Sequence, residues 1–260
     1  MNGQSSPRIL LFAALLGIVL LLHAVTMAIA QTATTSHSPT APMTPETIAA
    51  YFDQTLAQQM ADNHIVGVTV AVVKDGELLF AKGYGYADLA QKIPVVADQT
   101  LFFPGSTGKL FTWTALMQLV EQGKLDLQTD INQYLDFEIP RTYPEPMTLA
   151  HLLTHTAGFE EQFEALLAAD QADVRPLGEF LRTTLPARVY VPGTTFAYSN
   201  YATALAGYII ERVSGEPYAQ YITDHILVPL AMKRSAAVQP LPPALMADLA
   251  KGYHYRNGQY

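Results

Sequence analysis

Two apolar, β-branched runs flank the dipeptide Asp75-Gly76: VGVTVAVVK (66–74) before it and ELLFAKGYGYA (77–87) after it. Two such residues between alternating runs call for a tight turn with left-handed backbone, so the runs are expected to pair as an antiparallel ribbon. A ribbon has to bury one face, and the chain soon supplies a cover. From Ser106 to Gln122 it is apolar or small almost throughout, has helical length and is closed by Gly123, which predicts a buried central helix.

Upstream, Thr44 is an N-cap before Pro45 at the first helical position, so a helix is expected to run to about Asp62. From Leu125 to about Arg234 helical stretches alternate with Pro and Gly turns, among them MTLAHLLTH (147–155), SNYATALAGYIIERVSG (199–215) and PYAQYITDHILVPL (217–230). The end, KGYHYRNGQY (251–260), reads as a strand, an Asn257-Gly258 turn and two residues of a return strand. Half a hairpin leaves its backbone donors and acceptors without partners, so the sequence is expected to be a C-terminally incomplete part of a longer protein.

Composition removes several functions. Across 260 residues the chain is 50% hydrophobic and 15% charged, enough for one sizeable core. A net charge of −8 with no Lys/Arg cluster argues against a nucleic-acid partner. The absence of cysteine excludes disulfides, thiolate zinc sites and cysteine nucleophiles, so any nucleophile is oxygen or nitrogen. Arg8 precedes the apolar run Ile9 to Leu22, and Ala28-Ile29-Ala30 offers a small-x-small cleavage site. Residues 1–30 are therefore read as a signal peptide or, because 9–30 is long enough to span, as an N-terminal membrane anchor. Both readings export the domain to a periplasmic or extracellular setting. The Ser/Thr/Pro-rich stretch 31–43 is a linker, and 44–260 is the folded domain.

Inside the central helix sits an outlier. Lys109 is the only charged side chain between Asp98 and Glu121, and it follows Ser106 by one helical turn. A serine where a loop enters a helix lies near unsatisfied N–H groups and the positive end of the dipole. A lysine at i+3 shares its face, and burial is expected to depress its pKa so that a neutral amine can take the serine proton. Ser-x-x-Lys is thus a nucleophile with its own base, although the spacing alone also fits an N-cap and a snorkelling lysine. A second element strengthens it: PGTTFAYSN (192–200) puts Tyr198 and Asn200 on a loop at a helix start, where a phenol can shuttle a proton and an amide can orient a carbonyl. His151 and His155 at i, i+4 could hold a metal with Glu160, Glu161 or Glu164, but no glutamate stands between them as a zincin needs. Tyr84, Tyr86, Phe102, Phe103 and Trp113 are read as core and cleft lining.

Taken together, VVKDGELLFAKGYGYAD (72–88), FFPGSTGK (102–109), ALMQLVEQGKLDL (115–127), HLLTHTAGF (151–159), PGTTFAYSN (192–200), AGYIIERVSGEPY (206–218) and ILVPLAMK (226–233) resemble, in order, the serine β-lactamase and penicillin-binding-protein superfamily. The likeness is to its class C β-lactamase-related branch of D-alanyl-D-alanine carboxypeptidases, aminopeptidases and esterases. The resemblance implies an α/β (α+β) fold, an antiparallel sheet flanked by helices with a mostly helical subdomain. It also implies Ser106 as the acylated nucleophile, Lys109 as its activator, Tyr198 as the proton shuttle, Asn200 on the substrate amide, and the Ser106 N–H as half of an oxyanion hole. No metal or organic cofactor is implied. Substrates would be cell-wall D-Ala peptides, β-lactams or small esters. The family's third motif, Lys or His, then Thr or Ser, then Gly, does not follow Asn200, so the strands that carry it and would pair with the ribbon are expected to be missing, leaving the given chain catalytically poor. A rival reading is a non-catalytic, membrane-tethered module that binds cell-wall peptides or a protein partner.

Overall fold

The structure is a computed structural model and describes residues 42–162 and 173–260. The expected leader (1–30), all but the last two residues of the linker, and Glu164 lie outside the described residues. The chain divides between Thr55 and Leu56, within the first helix; the sheet, the remaining helices and the site described below belong to the second part.

That first helix, α1, spans Pro45–Asp62, as the Thr44-Pro45 pair predicts. Thr44 caps it, its Oγ1 accepting from the Thr47 N–H at 3.3 Å. The ribbon forms as expected: β1 (Gly67–Lys74) pairs antiparallel with β2 (Glu77–Asp88), and Asp75 and Gly76 both turn left-handed, at φ 54° and 83°. A short β3, Ile93–Pro94, adds to β2 and was not legible from so few residues.

Ser106 lies on a 3₁₀ turn, Gly105–Gly108, and Lys109 is the first residue of α2, Lys109–Glu121. The expected buried helix needs correction. Thr112, Ala115, Leu116 and Leu119 are buried, but Leu110 is 62% and Met117 43% exposed, so α2 covers itself on one side only. Of the aromatics read as core and cleft lining, Trp113 packs against the core, whereas Phe103 is 74% exposed and Phe102 and Tyr86 are exposed, so these three are not core.

The helical part is shorter-pieced than its sequence suggests. Thr148 holds the N-cap position of α3 (Leu149–Leu153), α4 is Leu177–Thr183 and α5 is Asn200–Ser214. The stretch 217–230 is not one helix but α6 (Tyr218–Ile222) followed by a π turn, Thr223–Leu227; Pro243–Met246 forms α7. Helix α5 is the centre of this part: ten-residue-scale burial from Tyr201 to Ile210 meets α2, α3, α4 and α6. Leu116, Leu119, Leu152, Leu181, Leu205, Ile209 and Ile222 are fully buried there, each contributing about 2 kcal/mol of apolar burial. The C-terminal segment is less solitary than expected. Leu249 bridges Leu101, the Lys251 N–H donates to Ala87 O at 2.9 Å, and Lys251 Nζ lies 2.5 Å from Asp88 Oδ2. The Asn257-Gly258 turn forms with a single Arg256–Gln259 bridge, but 251–255 is not a strand.

Candidate active site

The site is assembled by stitching two loops together. After α3 the backbone turns left-handed at His155, φ 54°, and runs antiparallel to the segment before α5. The Glu160 N–H donates to Ala187 O (2.8 Å), Val189 N–H to Gly158 O (2.8 Å), Gly193 N–H to Thr156 O (2.9 Å) and Ala197 N–H to His155 O (2.8 Å). These bonds bring Tyr198 to the turn that carries Ser106. Ser199, fully buried, caps α5 by accepting from the Ala202 N–H at 3.1 Å, which makes Asn200 the first helical residue.

The four residues singled out in the sequence meet at one point. Ser106 Oγ lies 3.0 Å from Lys109 Nζ and 2.6 Å from Tyr198 Oη, with both groups donating to it. Lys109 Nζ also donates to Asn200 Oδ1 at 2.6 Å and stands 4.8 Å from the centre of the Tyr198 ring. Ser106 and Tyr198 are open to solvent, whereas Lys109 and Asn200 are half-buried. Desolvation raises the Tyr198 phenol, but the neighbouring Lys109 and the Ser106 hydroxyl outweigh it, so its pKa lies below the ordinary tyrosine value. Behind Lys109 and Asn200 a cavity of about 260 Å³ opens between α2 and α5, reaching Thr112 and Tyr218.

Two further residues belong to the arrangement. His155 Nδ1 accepts from the Ser199 N–H at 3.2 Å, its ring tilts against Tyr198 with centroids 4.4 Å apart, and Trp113 meets it edge-on at 6.0 Å. Burial, and then the Lys109 charge, hold its pKa below the ordinary histidine value. Glu161 accepts from the Asn200 backbone N–H at 2.8 Å and from Nδ2 at 2.9 Å. From sequence, residue type and spacing allow both a metal, while the resemblance implies a structural turn at His155 near the active-site wall. The proposed helical histidine pair does not exist, because α3 ends at Leu153 and His155 lies beyond it, while His151 Nδ1 accepts from the Thr148 N–H at 3.2 Å. Among the described residues no group of His, Asp and Glu is placed to hold a metal ion. No described helix is long and apolar enough to cross a membrane.

A serine, lysine and tyrosine converging on one oxygen is a constellation for acyl transfer, and the family pattern described as Beta-lactamase matches residues 52–258. The chain belongs to the beta-lactamase family. It is 31% identical to Protein flp of Staphylococcus aureus (strain MW2) over 191 residues, which are 72% of this chain and 38% of that protein. It is 36% identical to the putative penicillin-binding protein PbpX of Bacillus subtilis (strain 168) over 168 residues, 63% of this chain and 39% of the relative. The chain therefore spans about two-fifths of the length of these relatives. Among solved structures it resembles the octameric penicillin-binding protein homologue from Pyrococcus abyssi, with a TM-score of 0.70 and 29% identity over 82% of this chain and 49% of that one. EstCE1, a hydrolase with promiscuous acyltransferase activity, superposes with a TM-score of 0.65 and 27% identity over 81% of this chain and 57% of that one. The beta-lactamase family fold, an antiparallel sheet with flanking helices, is thus the fold of this chain.

Proposed function

We propose that this beta-lactamase family chain carries the acylation machinery of a serine hydrolase that cleaves an amide or ester: a D-Ala peptide, a β-lactam or a small ester. The observation that carries the reading is the Ser106 oxygen held at 3.0 Å from Lys109 Nζ and 2.6 Å from Tyr198 Oη. Tyr198 arrives from 92 residues away, so the convergence is a product of the fold and not of local spacing. Ser106 Oγ forms a bond to the substrate carbonyl carbon while its proton passes to the Lys109 and Tyr198 pair. The C–N or C–O bond then breaks, and the same pair returns that proton to the released nitrogen or oxygen, which leaves as an amine or alcohol or, in a β-lactam, stays tethered through the opened ring. Water, deprotonated by the pair, attacks the Ser106 ester, releases the acid and restores the serine. The lowered Tyr198 pKa suits this exchange, since a phenol that ionises more readily can both accept and return a proton. Arg8 and the apolar run after it support an exported protein acting outside the cytoplasm on such substrates.

The test is intact-mass spectrometry of the full-length protein treated with a fluorophosphonate or a β-lactam. We expect one adduct, mapped to Ser106 and lost in Ser106→Ala. An adduct that persists in Ser106→Ala refutes the mechanism.

A further inference from the structure

Both ends of the Asn200 side-chain amide are hydrogen-bonded. Its Oδ1 accepts from Lys109 Nζ at 2.6 Å, and its Nδ2 donates to Glu161 Oε1 at 2.9 Å. The Asn200 backbone N–H donates to the other oxygen of the same carboxylate, Oε2, at 2.8 Å. Glu161 is half-buried, and it reaches α5 from the loop that follows α3, 39 residues earlier in the chain.

We propose that Glu161 is a positioning residue for the serine hydrolase reaction: its two oxygens set which way the Asn200 amide faces and so hold Lys109 at Ser106. The inference rests on the hydrolase reading of this site, but it makes a separate claim. An amide can flip, exchanging its donor and acceptor ends. A carboxylate offers acceptors only, so Nδ2 is drawn to Glu161 and Oδ1 is turned to the lysine. With the amide reversed, an NH2 group would face Lys109 Nζ, two donors would oppose each other, and the lysine would lose one of the two partners that hold it. The structural alternative is that Glu161 only stabilises the N-terminus of α5, where a carboxylate on a free N–H is favourable. That account explains the bond to the backbone N–H. It assigns no role to the second bond, to Nδ2, which is the one that passes to Lys109.

The two accounts separate in a double-mutant cycle on the full-length protein, read by the rate at which a fluorophosphonate labels Ser106. Glu161→Gln keeps the size but places an NH2 where one of two acceptors was, so it forces a choice between the backbone bond and the amide orientation. We expect it to slow labelling on the order of 100-fold, the scale of a displaced catalytic group. Glu161→Asp, which retains two acceptor oxygens, recovers most of that rate. In an Asn200→Ala background Glu161→Gln has no further effect beyond about 2-fold, because the residue acts through Asn200. Additive losses in the cycle, or a Glu161→Gln rate equal to wild type in folded protein, overturn the inference. If Glu161→Gln melts below the assay temperature, the same cycle run with Glu161→Ala, which removes both acceptor oxygens, at a temperature where every variant is folded decides it. The ¹⁵N–¹H resonances of the Asn200 side chain give a readout that needs no reaction: they shift in Glu161→Gln and hold in Glu161→Asp. Wild-type protein that no probe labels defeats the hydrolase reading, and unmoved Asn200 resonances defeat the role of Glu161.

Discussion

Gly158 and Gly76 share a backbone conformation and differ in their surroundings, which makes them a controlled pair. Both are left-handed, at φ 82° and 83°. A Cβ at Gly76 would meet nothing within 4 Å, whereas one at Gly158 would stand 2.1 Å from Tyr190 O and 2.9 Å from Tyr190 C. Alanine at Gly76 therefore costs the left-handed strain alone, about 1–2 kcal/mol. Alanine at Gly158 adds the displacement of the Tyr190 backbone. That shift strains two bonds to Gly158 O, from Val189 N–H at 2.8 Å and Tyr190 N–H at 3.3 Å, at about 1 kcal/mol each. We expect Gly158→Ala to lose about 3–4 kcal/mol, some 2 kcal/mol more than Gly76→Ala. Guanidinium unfolding of both variants measures this as a difference in midpoint at unchanged slope. The displaced segment leads directly to Tyr198, so Ser106 labelling falls in Gly158→Ala and stays near wild type in Gly76→Ala. Equal stability losses at the two positions would refute the close-approach argument.

Tyr198→Phe keeps the ring against His155 and removes the hydroxyl 2.6 Å from Ser106 Oγ, so labelling is expected to slow by about 10²–10⁴ with the melting temperature little changed; an unchanged rate assigns the proton to another group. His155 and His151 are both held below the ordinary histidine value of 6.5, chiefly by burial, so the unfolded chain binds their protons first as pH falls. Their contribution to stability is full above about pH 6.5 and is lost as the pH drops through their lower folded values; imidazole NMR titrations with midpoints at or above 6.5 contradict this. Ser199→Ala removes the cap on Ala202 N–H and is expected to cost about 1 kcal/mol in denaturant unfolding, a loss near zero showing that the cap is replaced.

What the sequence by itself determined lies within four residues along the chain. Asp75-Gly76 dictated the ribbon because that turn needs two left-handed residues; Thr44-Pro45 dictated where α1 begins; Ser106 and Lys109 share a face because i and i+3 do so on any helical turn. Two things misled the local pattern. The run 217–230 has helical composition, but its hydrogen bonds change spacing at Thr223, and α2 has apolar residues all round although it buries one side. The rest was decided by tertiary structure. Tyr198 was a candidate from its loop beside Asn200 as well as from the resemblance, yet its place at Ser106 depends on backbone bonds between 155–160 and 187–197, which no residue spacing encodes. Type and spacing allowed His155 and Glu161 a metal without favouring one; the left-handed turn at His155 sends the one to Ser199 and the other to Asn200. Local contacts are written in spacing, because a few torsions fix them. Contacts across 39 or 92 residues form only when the α2–α5 core packs, and the energy that selects them is spread over side chains far from the site.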